Sequence, residues 1–103
     1  MKNLINYHKY ELENFDGGTP QVIQFIQKEP VPNGFTGELR TVNNGTTNEE
    51  VLAVLIDRLR GLGNAIPCRE NSIAITKLEE ALMWLGKRTA NRKARGVEGK
   101  ALV

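Results

Sequence analysis

The sequence predicts an α+β fold: a small N-terminal antiparallel β-sheet followed by a C-terminal two-helix hairpin, in an oligomeric protein. Three observations carry this reading. Short runs rich in β-branched and aromatic residues, separated by turn residues, fill much of positions 7–45. Apolar residues then recur at helical spacing from Val51 to Leu85. Finally, 103 residues are too few to cover two helical stripes and a sheet face unaided, so self-association is the expected source of extra burial. One domain is expected over residues 1–103, with a β-rich part over 1–45, the hairpin over 46–95 and a loose tail over 96–103.

Tyr7 to Phe15 alternates in part, with Tyr7, Lys9 and Glu11 on one face and His8, Tyr10 and Leu12 on the other. Asp16-Gly17-Gly18 reads as a turn, and Pro20 marks the edge of the next element. Gln21 to Lys28 holds Val22, Ile23, Phe25 and Ile26 in a short, β-branched run that favours a second strand. Pro30-Val31-Pro32-Asn33-Gly34 is a turn signal, because neither proline donates to a sheet ladder. Leu39 to Val42 is the third strand, closed by Asn43-Asn44-Gly45.

The first helix is expected to start at a capping box, Thr47-Asn48-Glu49-Glu50, in which the threonine hydroxyl and the Glu50 carboxylate satisfy each other's backbone amides; Thr46 to Glu49 would serve in the adjacent register. Its stripe is Val51, Leu52, Leu55, Leu59 and Leu62, and Gly61, Gly63 and Asn64 are expected to stop it. The second helix starts near Pro67, whose missing amide costs nothing in a first turn, and runs to about Lys93. Its stripe is Ile75, Leu78, Leu82 and Leu85.

Composition narrows the function. A single cysteine, Cys68, and a single histidine, His8, exclude an intrachain disulfide, multi-cysteine metal sites and schemes that need paired histidines. Gly86-Lys87 lacks the upstream glycine and the following hydroxyl of a phosphate loop, and Gly61-Leu62-Gly63 follows a helix rather than a strand, unlike a dinucleotide fingerprint. No catalytic signature, resident metal or cofactor is therefore expected. The longest apolar run, Val51 to Ile56, is far too short to cross a membrane, and the N-terminus carries no signal-peptide pattern, so a cytosolic protein is expected.

Charge points to an anionic partner. The chain carries a net +2, yet residues 87–103 alone carry +5 and residues 1–86 carry −3. Part of this basic end suits the negative pole of a helix. The opening of the second helix adds free backbone N–H groups, with Arg69 as a planar donor fork and Asn71 as a paired donor and acceptor. Arg88 lies 19 residues beyond Arg69, roughly 28 Å along a helix axis, so the two cannot close on one small ligand within one chain. Two copies packed antiparallel along this helix would bring Arg69 and Asn71 of one chain near Arg88 of the other, giving two equivalent anion pockets per dimer. Trp84, one turn before Arg88, suits either core packing or stacking on a base.

The run from Pro67 to Leu85 and on through Lys87-Arg88-Thr89 resembles the helical hairpin shared by two groups of small phage proteins. These are the Thoeris anti-defence proteins of the first type and the anti-CBASS cyclic-oligonucleotide sponges. Gln21 to Ile26 and Asn44 to Leu52 resemble the Thoeris group specifically, and the similarity covers most of residues 20–95. The resemblance implies a non-enzymatic sponge, acting in the host cytoplasm, that binds glycocyclic ADP-ribose made by TIR-domain proteins. It also implies cyclic di- or trinucleotides at separate sites of a hexamer built as a trimer of dimers. Asn71 and Arg88 carry over as ligand contacts, and Leu62 stands near the position that meets the base, where the larger aromatic of the family pattern is missing. Arg40, on the third strand, is the candidate phosphate donor of the second site.

The alternative is a small basic nucleic-acid-binding module that uses the C-terminal charges as a phosphate-contacting surface. Salt separates the two: a polymer touching six basic residues loses far more affinity with salt than a pocket ligand with two phosphates.

Overall fold

The computed structural model describes residues 1–32 and 37–94; the tail expected over 96–103 and positions 33 and 34 of the proline-rich turn lie outside the described residues. The order is β1 (Lys2–Ile5), β2 (Lys9–Leu12), β3 (Gln21–Gln24), β4 (Gln27–Pro30), β5 (Leu39–Asn43), α1 (Asn48–Ala65) and α2 (Arg69–Ala94). The chain divides into two compact units, one of Met1–Thr47 and one that starts at Asn48 and carries both helices. The α+β class holds, while the count and grouping of strands differ from expectation.

In the first unit, β1, β2 and β3 form an antiparallel three-stranded sheet in that order, and β4 and β5 form a separate hairpin. The register places Tyr10 opposite Ile23 and Glu11 opposite Val22. The Tyr10 ring meets Phe25 edge-on, with centroids 5.9 Å apart. Strand β1 is not legible in the sequence because Lys2-Asn3-Leu4-Ile5 is too short to show alternation, and its pairing with β2 shifts register between Asn3 and Ile5. The turn that joins them puts Tyr7 at φ 64°, with its amide donating to Asn3 Oδ1 at 3.2 Å. Asp16-Gly17-Gly18 is a turn as expected, with both glycines at positive φ.

The single strand expected over 21–28 is two strands. At Phe25 and Ile26 the backbone changes partner: the Phe25 amide donates to the His8 carbonyl, and the Ile26 amide donates to Thr46. The Thr46 amide in turn donates to the Gln24 carbonyl at 2.9 Å. Beyond this switch β4 pairs with β5, so Leu39–Asn43 joins β4 rather than the first two strands. Alternation along one strand does not reveal where the hydrogen-bonding partner changes.

Gly45 sits where this crossing is tightest. A Cβ there would press on the Gln24 carbonyl oxygen and lie 2.6 Å from the Phe25 carbonyl carbon, both rigid backbone atoms. Gly45→Ala should therefore lower stability by about 1–3 kcal/mol through backbone displacement. Gly61→Ala is the control: it lies in α1 with open space around it, and alanine gains up to ~1 kcal/mol of helix propensity there. Opposite shifts of the thermal midpoint are the expected result.

In the second unit, α1 begins at Asn48, which leaves Thr47 at the cap position and Glu50 at the third helical residue, as the capping box requires. Contrary to expectation, Gly61 and Gly63 do not stop α1. The helix runs to Ala65, and the Ile66 amide still donates to the Leu62 carbonyl at 3.0 Å. Glycine in a helix is a cost of roughly 1 kcal/mol, which continuing backbone bonds and packing can offset. Helix α2 begins two residues after Pro67 and ends at Ala94.

Ile56, 4% exposed, is the one buried hydrophobic residue among the described residues. It is not part of the expected α1 stripe, whose members Leu55 and Leu62 are instead exposed. Val51, Leu52 and Leu59 are half-buried, so the inward face is rotated toward Ile56. Ile75, Leu78, Leu82 and Leu85 of α2 are half-buried, as their spacing predicts. Val54, Ile73, Met83 and Trp84 remain exposed. No helix among the described residues is long and apolar enough to cross a membrane.

Candidate functional site

The helical unit carries five of the six candidate contacts. Leu62 lies in the last turn of α1 and is exposed. Arg69 is the first residue of α2 and exposed, whereas Asn71, two residues on, is half-buried. Trp84 and Arg88 lie in the same helix, both exposed. Seventeen residues of continuous helix put Asn71 and Arg88 about 25 Å apart along the axis, so one chain does not gather them.

Trp84, 60% exposed, is not the core residue that one of its two readings required. Lys87 Nζ lies 4.8 Å from its ring centroid, a cation–π contact one turn along α2. Arg40 belongs to the first unit, on β5, where its Nη2 donates to Glu29 Oε1 of β4 at 2.8 Å. With both side chains about half exposed, this cross-strand pair is one that a competing phosphate can displace at small cost.

The α2 opening differs in detail from the sequence reading. Cys68 is the residue just before the helix, and its carbonyl accepts the Ser72 amide at 3.1 Å. The Ser72 hydroxyl donates to that same carbonyl at 3.2 Å. The anion at this helix start is Glu70. The Cys68 thiol donates to Glu70 Oε2 at 3.2 Å. That bond first, and the Glu70 backbone amide second, hold the Glu70 carboxyl below the usual carboxylate range against a small opposing desolvation.

A carboxyl held low in the folded chain adds stability above its unfolded value and loses it as pH falls through the folded value. The start of α2 should therefore loosen on acidification from the usual carboxylate range downward. Glu70→Gln should flatten that acid limb when helicity is followed by circular dichroism.

Two open clefts lie within this unit. One, of about 340 Å³, opens at the hairpin turn and is lined by Arg60, Asn64, Cys68, Ser72 and Ile75 with Gly63 and Pro67. The other, of about 480 Å³, runs between the helices and includes Ile56, Asp57, Leu82 and Met83, with Arg60 and Glu79 at its edge. Leu62, Arg69, Asn71, Trp84 and Arg88 line neither cleft. Sequence reasoning missed Arg60 and Glu79, whose Nη2 and Oε2 lie 2.7 Å apart across the two helices. Spacing along a single helix does not expose a pair that forms between helices.

Among the described residues, no group of three or more His, Cys, Asp and Glu side chains is placed to hold a metal ion. The hairpin-turn cleft is lined by a guanidinium, an amide and a hydroxyl, from Arg60, Asn64 and Ser72.

Comparison with known proteins gives this geometry a context. The family model for the Acb2/Tad1 hairpin domain matches residues 24–90, a stretch that includes all six candidate contacts. The chain is also 46% identical over 101 residues to Thoeris anti-defense 1 of Bacillus phage SBSphiJ7, covering 80% of this chain and 71% of that protein. A match to well over half of the chain, with identity far above the level at which folds diverge, leads to one conclusion: the chain belongs to the Acb2/Tad1 hairpin family.

Proposed function

We propose that this protein is a phage anti-defence sponge that blocks Thoeris immunity by binding a host immune signalling nucleotide and holding it without cleavage. The ligand is glycocyclic ADP-ribose made by TIR-domain proteins, captured in the host cytoplasm. The observation that carries the reading is the 46% identity to Thoeris anti-defense 1 across most of both chains. The site chemistry agrees: arginines, an amide and a helix start offer donors to a diphosphate, and no residue of the site supplies a paired acid and base.

Each pocket is shared between two copies, with Asn71 and Arg69 from one protomer and Arg88 from its partner. Leu62 and Trp84 give the apolar surface for the base. Self-association is supported by the apolar side chains that a single chain leaves uncovered, Val54, Ile73, Met83 and Trp84 among them. The assembly is a hexamer made as a trimer of dimers, with Arg40 serving a second site for cyclic di- or trinucleotides.

Native mass spectrometry with a panel of cyclic nucleotides tests this directly. Glycocyclic ADP-ribose should add its intact mass at one ligand per protomer, and heating should release it unchanged. Recovery of a cleaved product, or no added mass, would overturn the reading.

A further inference from the structure

We propose that Arg60 is a further ligand-binding residue, a phosphate donor that reaches the ribose-phosphate part of the captured nucleotide in the hairpin-turn cleft, with Glu79 as its positioning residue. This rests on the sequestration reading above. Arg60 lines both of the clefts described above, and its guanidinium meets Glu79 at the edge of the larger one. One nitrogen, Nη2, is engaged with Glu79 Oε2 at 2.7 Å, which fixes the plane of the group and leaves its other donors for an anion. Both side chains are about half exposed, so the pair adds little to folding and the guanidinium is open to an incoming anion.

The cleft matches that ligand chemistry. Its volume of about 340 Å³ suits a nucleotide fragment rather than a polymer. Asn64 and Ser72 supply neutral donors and acceptors for ribose hydroxyls, while Pro67 and Ile75 supply apolar wall. The cleft also lies at the start of α2, with Pro67, Cys68 and Ser72 in its lining. Cys68 lines the same cleft, half-buried, and reports its occupancy as a thiol that a bound ligand shields.

The test compares wild type, Arg60→Gln, Arg60→Lys and Glu79→Gln for glycocyclic ADP-ribose affinity and for the rate of Cys68 maleimide labelling with and without that ligand. Arg60→Gln should bind on the order of tenfold more weakly or worse, because a charge-assisted phosphate contact is lost. Arg60→Lys should recover part of the affinity. Glu79→Gln removes the ion pair that fixes the guanidinium but keeps the cation, and should bind more weakly than wild type by clearly less than Arg60→Gln does. Ligand should slow Cys68 labelling in the wild type and much less in Arg60→Gln at equal concentration.

Wild-type affinity in Arg60→Gln, or labelling indifferent to saturating ligand, overturns the assignment and leaves sequestration standing. Equal loss in Arg60→Gln and Glu79→Gln overturns it too, since it marks a structural ion pair. If the wild type itself takes up no ligand, the sequestration reading fails first and this assignment with it.

Discussion

Arg88→Ala should abolish capture of the signal while leaving the hairpin folded. Arg88 is exposed on α2, so its removal takes nothing from the packing of a single chain. In the proposed shared pocket it would make a charge-assisted contact to phosphate, whose loss from a desolvated site costs about 2–5 kcal/mol. Asn71→Ala should lose less, about 1–3 kcal/mol, because a neutral contact is removed and a ligand group is left unpaired. Mixing the two variants gives the discriminating measurement. In a heterodimer one pocket carries both defects and the other carries neither, so titration calorimetry should recover one functional site per heterodimer once subunits have exchanged. No recovery despite proven exchange means that Asn71 and Arg88 do not meet across an interface. That outcome would remove the proposed shared pocket, since one chain holds Asn71 and Arg88 about 25 Å apart on one helix.

Met83→Glu should convert the assembly to monomers with helicity retained. Met83 is 60% exposed in the single chain, so the fold of one protomer does not depend on it. It borders the cleft between the helices, beside Ile56 and Leu82, and Trp84 follows it with the same exposure. A carboxylate forced into an apolar interface carries its full desolvation cost, several kcal/mol in an intimate contact, which is enough to dissociate a micromolar complex. Charged replacements of Leu78 or Leu82 are less clean, because both side chains are already half-buried within the chain and their loss strikes fold and assembly together. Sedimentation or mass photometry with circular dichroism separates the two effects. Retained oligomeric mass in a folded Met83→Glu protein would place the interface elsewhere.

Much of the helical unit is legible in the amino-acid sequence. The Thr47-to-Glu50 box sets the start of α1, Pro67 sets the start of α2 to within two residues, and Ile75, Leu78, Leu82 and Leu85 lie on one half-buried face. These features depend on interactions within a few residues, where capping chemistry and the 3.6-residue period act directly. The strands are less legible. Asp16-Gly17-Gly18 marks its turn because positive φ demands glycine, but the split of 21–28 at Phe25 follows from bonds to His8 and Thr46, far away in sequence.

The candidate site divides in the same manner. The sequence alone determined which side-chain chemistry the chain has to offer: one histidine and one cysteine leave arginine, amide and helix-start donors as the proposed anion contacts. It also determined the hairpin, which makes up most of the stretch, residues 24–90, that carries the family likeness. Only the tertiary structure decided that Ile56 rather than Leu55 turns inward, that Trp84 stays uncovered beneath Lys87, and that Arg60 meets Glu79 at the edge of a cleft. The physical reason is common to all three. Periodicity defines a face to within a residue or two, but which side chain on it is buried or paired depends on the crossing of the neighbouring helix, and that crossing is a property of two segments packed together.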